Sequence, residues 1–374
     1  MNIIIKLITS VILITIPLSA ISLDTKAKYA ILLDIDTKEV LFEKNSHDKM
    51  APSSMSKMMT AYVIFDYLSK GKIHLQDKFT HSENAWRKEG SRMFIPLGSQ
   101  VTVEELLKGL IIQSGNDAAV SLAEAAAGTE EDFANVMKEY AIKLGLTDTN
   151  FINATGLPDN NHYTSANDLA IIAMRTIIDF PDYYKYYSQI DYLYNNIKQY
   201  NRNTLLYNYQ GADGLKTGHT DEAGYGVTFS ATKNGRRLVG VINGLESVKQ
   251  RSIESAQLLN YGFMNFHNIT IARKDRTIRE IDIVYGKDTK VAGVSESDLV
   301  LTLPNTKGDN VKIKVDYNTP IVAPIAKGAN IGKIIVTESD TNKQLIYPLV
   351  AARSVQKANL LQRMMQNIRY YLFG

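Results

Sequence analysis

Two apolar runs, from Tyr29 to Leu33 and from Val40 to Phe42, flank Asp36-Thr37-Lys38, a pattern that predicts two short strands joined as a hairpin. Pro52 and Ser53 precede a long apolar-periodic run from Met55 to Leu68 that is closed by Gly71, which predicts a buried helix. A second helical stretch, Val103 to Ala126, is interrupted around Ser114-Gly115-Asn116, and Thr129 to Leu144 reads as an amphipathic helix ending at Gly145. Thr164 or Ser165 with Asp168 supplies a capping-box start for another helix. Alternating segments, Gly226 to Thr232 and Arg237 to Asn243, surround Asn234-Gly235, the strongest short hairpin signal in the chain. A helix from Ser247 to about Phe263 follows. Strands, then helices, then strands again imply an α+β domain whose sheet is largely antiparallel with helices massed on it.

The texture changes near Asn265. Short alternating segments from Ile269 to Tyr347, separated by Gly, Asp, Asn and Pro, predict a small β-sandwich-like domain without an obvious catalytic cluster. The tyrosine-rich stretch Tyr183 to Tyr209 reads as aromatic strand surface.

Both ends of the chain alter the picture. Lys6, the apolar run Leu7 to Leu18, and the small residues Ser19, Ala20 and Ser22 have the layout of an export signal, too short for a spanning helix. At the other end, helical spacing places Leu360, Leu361, Met364, Met365, Ile368, Tyr371 and Leu372 on one side. Asn359, Gln362, Arg363, Gln366 and Tyr370 fall opposite, so the tail is expected to lie in a membrane interface instead of crossing it. The expected organisation is a signal over 1–22, a catalytic domain over 23–265, a β-rich domain over 266–352 and an amphipathic helix over 353–374.

Composition mainly excludes. The 374 residues hold no cysteine, which removes a thiol nucleophile, disulfides and any Cys-based metal site. The histidines are too dispersed for a paired metal-ligand motif, and a net charge of +3 is too mild to indicate nucleic-acid binding. No cofactor is expected.

The remaining chemistry is that of a serine. Ser54 stands at the start of the first buried helix with Lys57 one turn later, so the amine can reach the hydroxyl proton. A lysine base must be neutral, and desolvation or a neighbouring cation lowers its pKa toward that state. Alone, S-x-x-K is weak, since it recurs at Ser46/Lys49, Ser69/Lys72, Ser230/Lys233 and Ser354/Lys357. The signal becomes specific through company: Ser54-x-x-Lys57, then Ser114-Gly115-Asn116, then the only Lys-Thr-Gly in the chain, Lys216-Thr217-Gly218.

With these motifs, and with FINATGLPD, TSANDLA, NRNTLL and GADGLKTGHTDEAGYGV, the chain resembles the low-molecular-mass penicillin-binding proteins of the D-alanyl-D-alanine carboxypeptidase type. The resemblance runs from about Tyr29 to the helix with Arg251 and Glu254, and more loosely beyond. It implies that Ser54 is the acylated nucleophile and Lys57 its base. It implies further that Ser114 relays a proton, Asn116 holds Lys57 and the substrate amide, and Lys216 supplies positive charge. Thr217 and Arg251 would receive the terminal carboxylate, and the backbone N–H groups of Ser54 and His219, beside Gly218, would form the oxyanion hole. The implied partners are a peptidoglycan stem ending in D-Ala-D-Ala, β-lactams, and a membrane surface at the periplasmic side. Ser53, Ser56 and Val227 depart from the usual family residues beside the reacting groups. Alternatives on the same motifs are a D,D-endopeptidase or transpeptidase, a class A-like β-lactamase, which would need a deacylating glutamate with no evident candidate here, and a catalytically silent envelope scaffold.

Overall fold

A computed structural model describes residues 23–305, 311–338 and 343–373, so the expected export signal lies outside the described residues. The chain begins with the hairpin β1 (Tyr29–Asp34) and β2 (Val40–Lys44), then enters the buried helix α1 (Lys57–Ser69). Next come β3 (Lys78–Thr80), α2 (Glu83–Arg87), β4 (Gln100–Thr102), α3 (Val103–Lys108), α4 (Asn116–Ala127), α5 (Glu130–Leu144) and α6 (Ala166–Asp179). Short pieces follow: α7 (Pro181–Tyr184), the hairpin β5 (Asp191–Tyr194) and β6 (Ile197–Tyr200), and α8 (Leu205–Asn208). The domain closes with β7 (Ala212–Thr220), β8 (Gly224–Lys233), β9 (Arg236–Leu245) and α9 (Val248–Asn265).

The central sheet has the order β2-β1-β9-β8-β7, antiparallel throughout. Its alternation is legible in β1: Ile31 and Leu33 enter the core shared with α1, α4 and α6, while Ala30 and Leu32 enter a second core with Leu258 and Leu259 of α9. A sheet covered on both faces needs strands that are apolar on both faces, hence the uninterrupted AILL run. The arrangement leaves β7 as an outer strand beside the start of α1, which is where the chemistry gathers.

The Asn234-Gly235 turn joins β8 to β9 with both residues left-handed, φ 52° and 79°, as the primed hairpin turn requires. Two expectations change. Ser165 caps α6 by accepting the Asp168 N–H, but the Asp168 carboxylate does not return to the cap. It accepts the Asp148 N–H and the Thr149 hydroxyl, so Asp168 ties a loop to the helix instead of completing a capping box. The tyrosine-rich stretch is a strand surface only in part: its first part is helical, with Tyr184, Tyr186 and Tyr187 as core side chains, whereas Tyr192, Tyr194 and Tyr200 stand on the β5–β6 hairpin.

Beyond α9, β10 (Phe266–Ala272) pairs with β13 (Leu299–Pro304). This ribbon faces a six-stranded sheet of β11 (Arg279–Val284), β12 (Lys290–Val294), β14 (Val311–Asp316), β15 (Ile321–Val322), β16 (Asn330–Glu338) and β17 (Gln344–Ala351). Leu299 and Leu301 of the ribbon meet Ile281, Val291, Ile334 and Leu349 in a separate core. The last element is α10 (Leu360–Phe373).

Candidate active site

The chain enters α1 through a 3₁₀ turn, Ser53–Ser56. At three residues per turn, positions i and i+3 eclipse, so Ser54 and Lys57 stand one above the other. Lys57 Nζ lies 3.0 Å from Ser54 Oγ. The lysine is almost wholly buried and donates to Asn116 Oδ1 at 2.7 Å and to the Thr155 carbonyl at 2.5 Å. A neutral amine has two N–H groups and one lone pair; with both donors engaged, the lone pair faces the serine hydroxyl. Burial, joined by the Arg202 charge and only partly offset by Asp117 and Glu130, lowers the Lys57 pKa to about 7. Thus the fold supplies the lowered pKa that the spacing alone could not.

The turn is tightly held. Ser53 adopts a left-handed φ of 51° just before the nucleophile. Gly156, φ 77°, approaches so closely that a Cβ there would sit 1.8 Å from the Ser53 carbonyl oxygen. Nothing larger than glycine fits.

The second motif sits where a helix fails. After α3 the chain widens into a π turn, Gly109–Gln113, which ends at Ser114 with φ 67°. A non-glycine residue in this conformation stores local strain of about 1 kcal/mol or more, and such breaks redirect side chains at functional sites. Asn116 Nδ2 donates to the Glu89 carbonyl at 2.6 Å, which turns its oxygen toward Lys57. The adjacent Asp117 carboxylate accepts the backbone N–H groups of Met93 and Phe94, fastening the preceding loop to α4.

Lys216 on β7 completes the constellation. Its buried Nζ donates to Ser114 Oγ at 2.9 Å and to the Thr217 carbonyl at 3.1 Å. Burial, reinforced by the charges of Lys57, Arg202 and Arg251, holds its pKa well below the usual lysine range. The glycine of the third motif has its own reason: a Cβ on Gly218 would lie 3.0 Å from the Pro52 carbonyl and from Ser53 Cβ. Glycine lets β7 close on the nucleophile turn.

These residues line one cleft of about 470 Å³ containing Ser54, Ser114, Thr217, Gly218, His219 and Arg251, with Lys57, Asn116 and Lys216 buried beneath. Every residue singled out from sequence is therefore brought together. Arg251 is not a surface charge: it is 5% exposed, lies over the Tyr225 ring and donates to the Arg202 carbonyl at 3.1 Å. Burial lowers its pKa to about 10, within the range where the guanidinium stays charged. Sequence reasoning missed Arg202, Ser91, Tyr225 and Val248, which also line the cleft. Arg202 was within reach, since it stands in the NRNTLL segment, and it donates to Ser91 Oγ at 2.7 Å.

No acidic side chain lines the cleft among the described residues, so it is built to receive an anion. The unusual Ser56 accepts from His162 Nε2 at 2.8 Å. His162 Nδ1 accepts the Ile152 N–H, and burial pushes its pKa down to about 4, so the ring is neutral. Val227, on β8, is buried in the second core with Leu258 and Leu259. Glu130, one of the few acids near Lys57, is engaged by Lys88 Nζ at 2.6 Å and by the Ala154 N–H. It is thus committed to structure.

Comparison with known proteins agrees with this geometry. Residues 17–247 match the family model for D-alanyl-D-alanine carboxypeptidase, and residues 266–357 match that for the penicillin-binding protein 5 C-terminal domain. The D-alanyl-D-alanine carboxypeptidase DacA of Haemophilus influenzae is 39% identical over 83% of this chain and 80% of its own. DacF of Bacillus subtilis, another D-alanyl-D-alanine carboxypeptidase, is 36% identical over 90% of this chain and 87% of its own. The crystal structure of penicillin binding protein 5 from Haemophilus influenzae superposes with a TM-score of 0.84 at 37% identity, covering 90% of this chain and 99% of that one. The match of the family model to most of the chain, together with these relatives and this fold, places the chain in the D-alanyl-D-alanine carboxypeptidase family of penicillin-binding hydrolases.

Proposed function

We propose that the chain removes the terminal D-alanine from peptidoglycan stems ending in D-Ala-D-Ala, through an acyl-enzyme on Ser54. The observation that carries this reading is the Ser54–Lys57 pair, at 3.0 Å, opening on a wall of cations. The substrate's terminal carboxylate is received by Arg251 and Thr217, with Lys216 and Arg202 adding positive charge. Neutral Lys57 takes the Ser54 proton as Oγ attacks the penultimate carbonyl, and the backbone N–H groups of Ser54 and His219 hold the oxyanion. The C–N bond then breaks, and the leaving nitrogen takes a proton from Ser114, which regains one from the lysines. Water, deprotonated by the same Lys57, attacks the ester, and the shortened stem leaves with Ser54 restored. A β-lactam presents a comparable amide and carboxylate and acylates the same oxygen.

The test is D-alanine release from a peptide ending in D-Ala-D-Ala, with Ser54→Ala beside the intact protein. Loss of release in the variant supports the reading. No release from the intact protein, with penicillin still labelling Ser54, would redirect the search to crosslinked substrates.

The same proposal assigns 1–22 to export, 23–265 to catalysis, 266–352 to a spacer and 353–374 to peripheral attachment at the periplasmic membrane face. What supports attachment is the orientation of α10. Its polar side docks on the β-rich domain: Gln366 Oε1 accepts the Tyr285 N–H at 2.7 Å, Gln366 Nε2 donates to the Gly286 carbonyl, and Arg363 covers the Tyr285 ring. Leu360, Leu361, Met364, Met365 and Ile368 face outward, each at least 57% exposed. A helix packed for its domain's stability would be turned the other way. No helix among the described residues is long and apolar enough to cross a membrane.

A further inference from the structure

One lip of the cleft carries exposed aromatic side chains that catalysis does not use. Trp86, Phe94 and Tyr200 are 39%, 48% and 57% exposed. They come from separate elements that converge beside the cleft. The Ser91 carbonyl accepts the Asn116 N–H at 2.7 Å, the Ser91 hydroxyl accepts from Arg202, and the Met93 carbonyl accepts from Gln199 at 2.9 Å. Phe94 thus follows directly on a segment bonded to the catalytic asparagine, and Tyr200 stands between Gln199 and Arg202, both anchored on that segment. Arg92 lies 5.9 Å from the Trp86 ring and Lys198 lies 5.4 Å from the Tyr200 ring.

Phe94 is the informative member. It holds a left-handed φ of 65°, which a bulky residue rarely adopts, yet its ring does not repay this by entering the core. The conformation is enforced from below by Asp117, which accepts the Phe94 N–H at 3.0 Å while its neighbour Asn116 holds the catalytic lysine. Strain that presents an apolar ring to solvent beside a reaction cleft points to a ligand.

We propose that this lip binds the saccharide backbone from which the stem peptide hangs. The inference rests on the carboxypeptidase reading above. Sugar rings have apolar C–H faces and hydroxyl edges; spaced aromatic rings accept the faces, and interleaved Arg92 and Lys198 donate to the edges. A protein partner would call for a continuous apolar patch, whereas here Trp86 and Tyr200 are each neighboured by a cation. The lip therefore favours polymer-borne stems over free peptides.

Trp86 is the only tryptophan in the chain, so its emission reports on the lip directly. The full chain is titrated with peptide-free strands of alternating N-acetylglucosamine and N-acetylmuramic acid, and D-alanine release is compared for a free pentapeptide and one carried on such a strand. Phe94→Asn, which tolerates the left-handed backbone, is combined with Tyr200→Ser. The expected result is a saturable change in Trp86 emission. The strand-borne substrate should have a KM lower by about five- to ten-fold, the worth of one or two aromatic contacts. The double variant should lose that preference while turning over free peptide as before, which also shows that it has folded. A flat Trp86 titration, or a preference that survives the double variant, overturns the proposal. If neither substrate releases D-alanine, the carboxypeptidase reading falls and the titration alone decides the lip.

Discussion

In the proposed reaction Lys57 is the group whose titration governs the pH dependence, since it lies 3.0 Å from Ser54 Oγ and is almost wholly buried. Its pKa near 7 predicts that acylation of Ser54, measured as kcat/KM on a soluble peptide, rises with pH and is half-maximal near 7, because only the neutral amine has a lone pair for the serine proton. Lys57→Arg, charged at every accessible pH, should lower acylation by about 10³-fold or more. The same shift acts on stability. Between about pH 7 and the ordinary lysine value of 10.5, the unfolded chain holds a proton on Lys57 that the folded chain has lost, so this group makes stability rise with pH across that window. His162 gives the same sign lower down. Neutral in the fold until about pH 4 and protonated near 6.5 when unfolded, it should destabilise the protein as pH falls through that interval, and His162→Gln should flatten that slope in thermal melts. Gly156→Ala should be costly twice over: the clash with the Ser53 carbonyl predicts a loss of about 2–4 kcal/mol in denaturant titrations and slower penicillin acylation, since the displaced group adjoins Ser54.

At the scale of elements, the site is an assembly of interrupted ones. A 3₁₀ turn opens α1, a π turn separates α3 from α4, and an outer strand closes against both. Each interruption brings a polar group into a place where a regular helix would have hidden or misdirected it. The tail is a regular helix that is docked inside out. If the outward face of α10 is the membrane contact, Met364→Asp with Ile368→Asp should reduce co-sedimentation with phosphatidylglycerol-containing vesicles by about ten-fold or more, since each apolar side chain withdrawn from lipid forfeits at least 1.5 kcal/mol. Turnover of a soluble peptide should not move. Equal sedimentation of the variant and the intact chain would remove α10 from the attachment model.

Across the whole molecule, the two folded domains meet through polar contacts. Thr37 in the β1–β2 turn bonds Thr302 at 2.6 Å, Asn268 donates to Asp34 at 3.0 Å, and Lys343 reaches Glu39 at 2.9 Å. Asp34 is itself buried and paired with Arg236, whose guanidinium also donates to the Phe266 carbonyl at 2.7 Å. The junction is therefore ordered, and none of its residues lines the cleft. A chain ending at Asn265 is predicted to hydrolyse soluble peptide within about two-fold of the full protein, because the contacts it loses lie outside the cleft lining. Abolished turnover in a truncation that still melts cooperatively would mean that the β-rich domain does more than separate catalysis from the membrane.

What the sequence determined by itself were the local and periodic features. The strand hairpins follow from Asp36-Thr37-Lys38 and Asn234-Gly235, the buried first helix from its apolar run, and the family from three short motifs in order, because each element or motif is written in neighbouring residues. The tertiary structure alone decided the rest. The Lys57 pKa falls to about 7 only because burial, joined by the Arg202 charge, strips its water, while Asn116 and the Thr155 carbonyl, far along the chain, accept its hydrogen bonds. Arg251 changed from a possible surface charge to part of the cleft wall because α9 packs that face against the sheet. Asp168 was drawn from its own cap to Asp148 and Thr149, and Arg202 joined the cleft across Ser91, contacts that no spacing encodes. Spacing specifies which groups share a helix face, whereas protonation, strain and ligand reach depend on neighbours that only folding supplies.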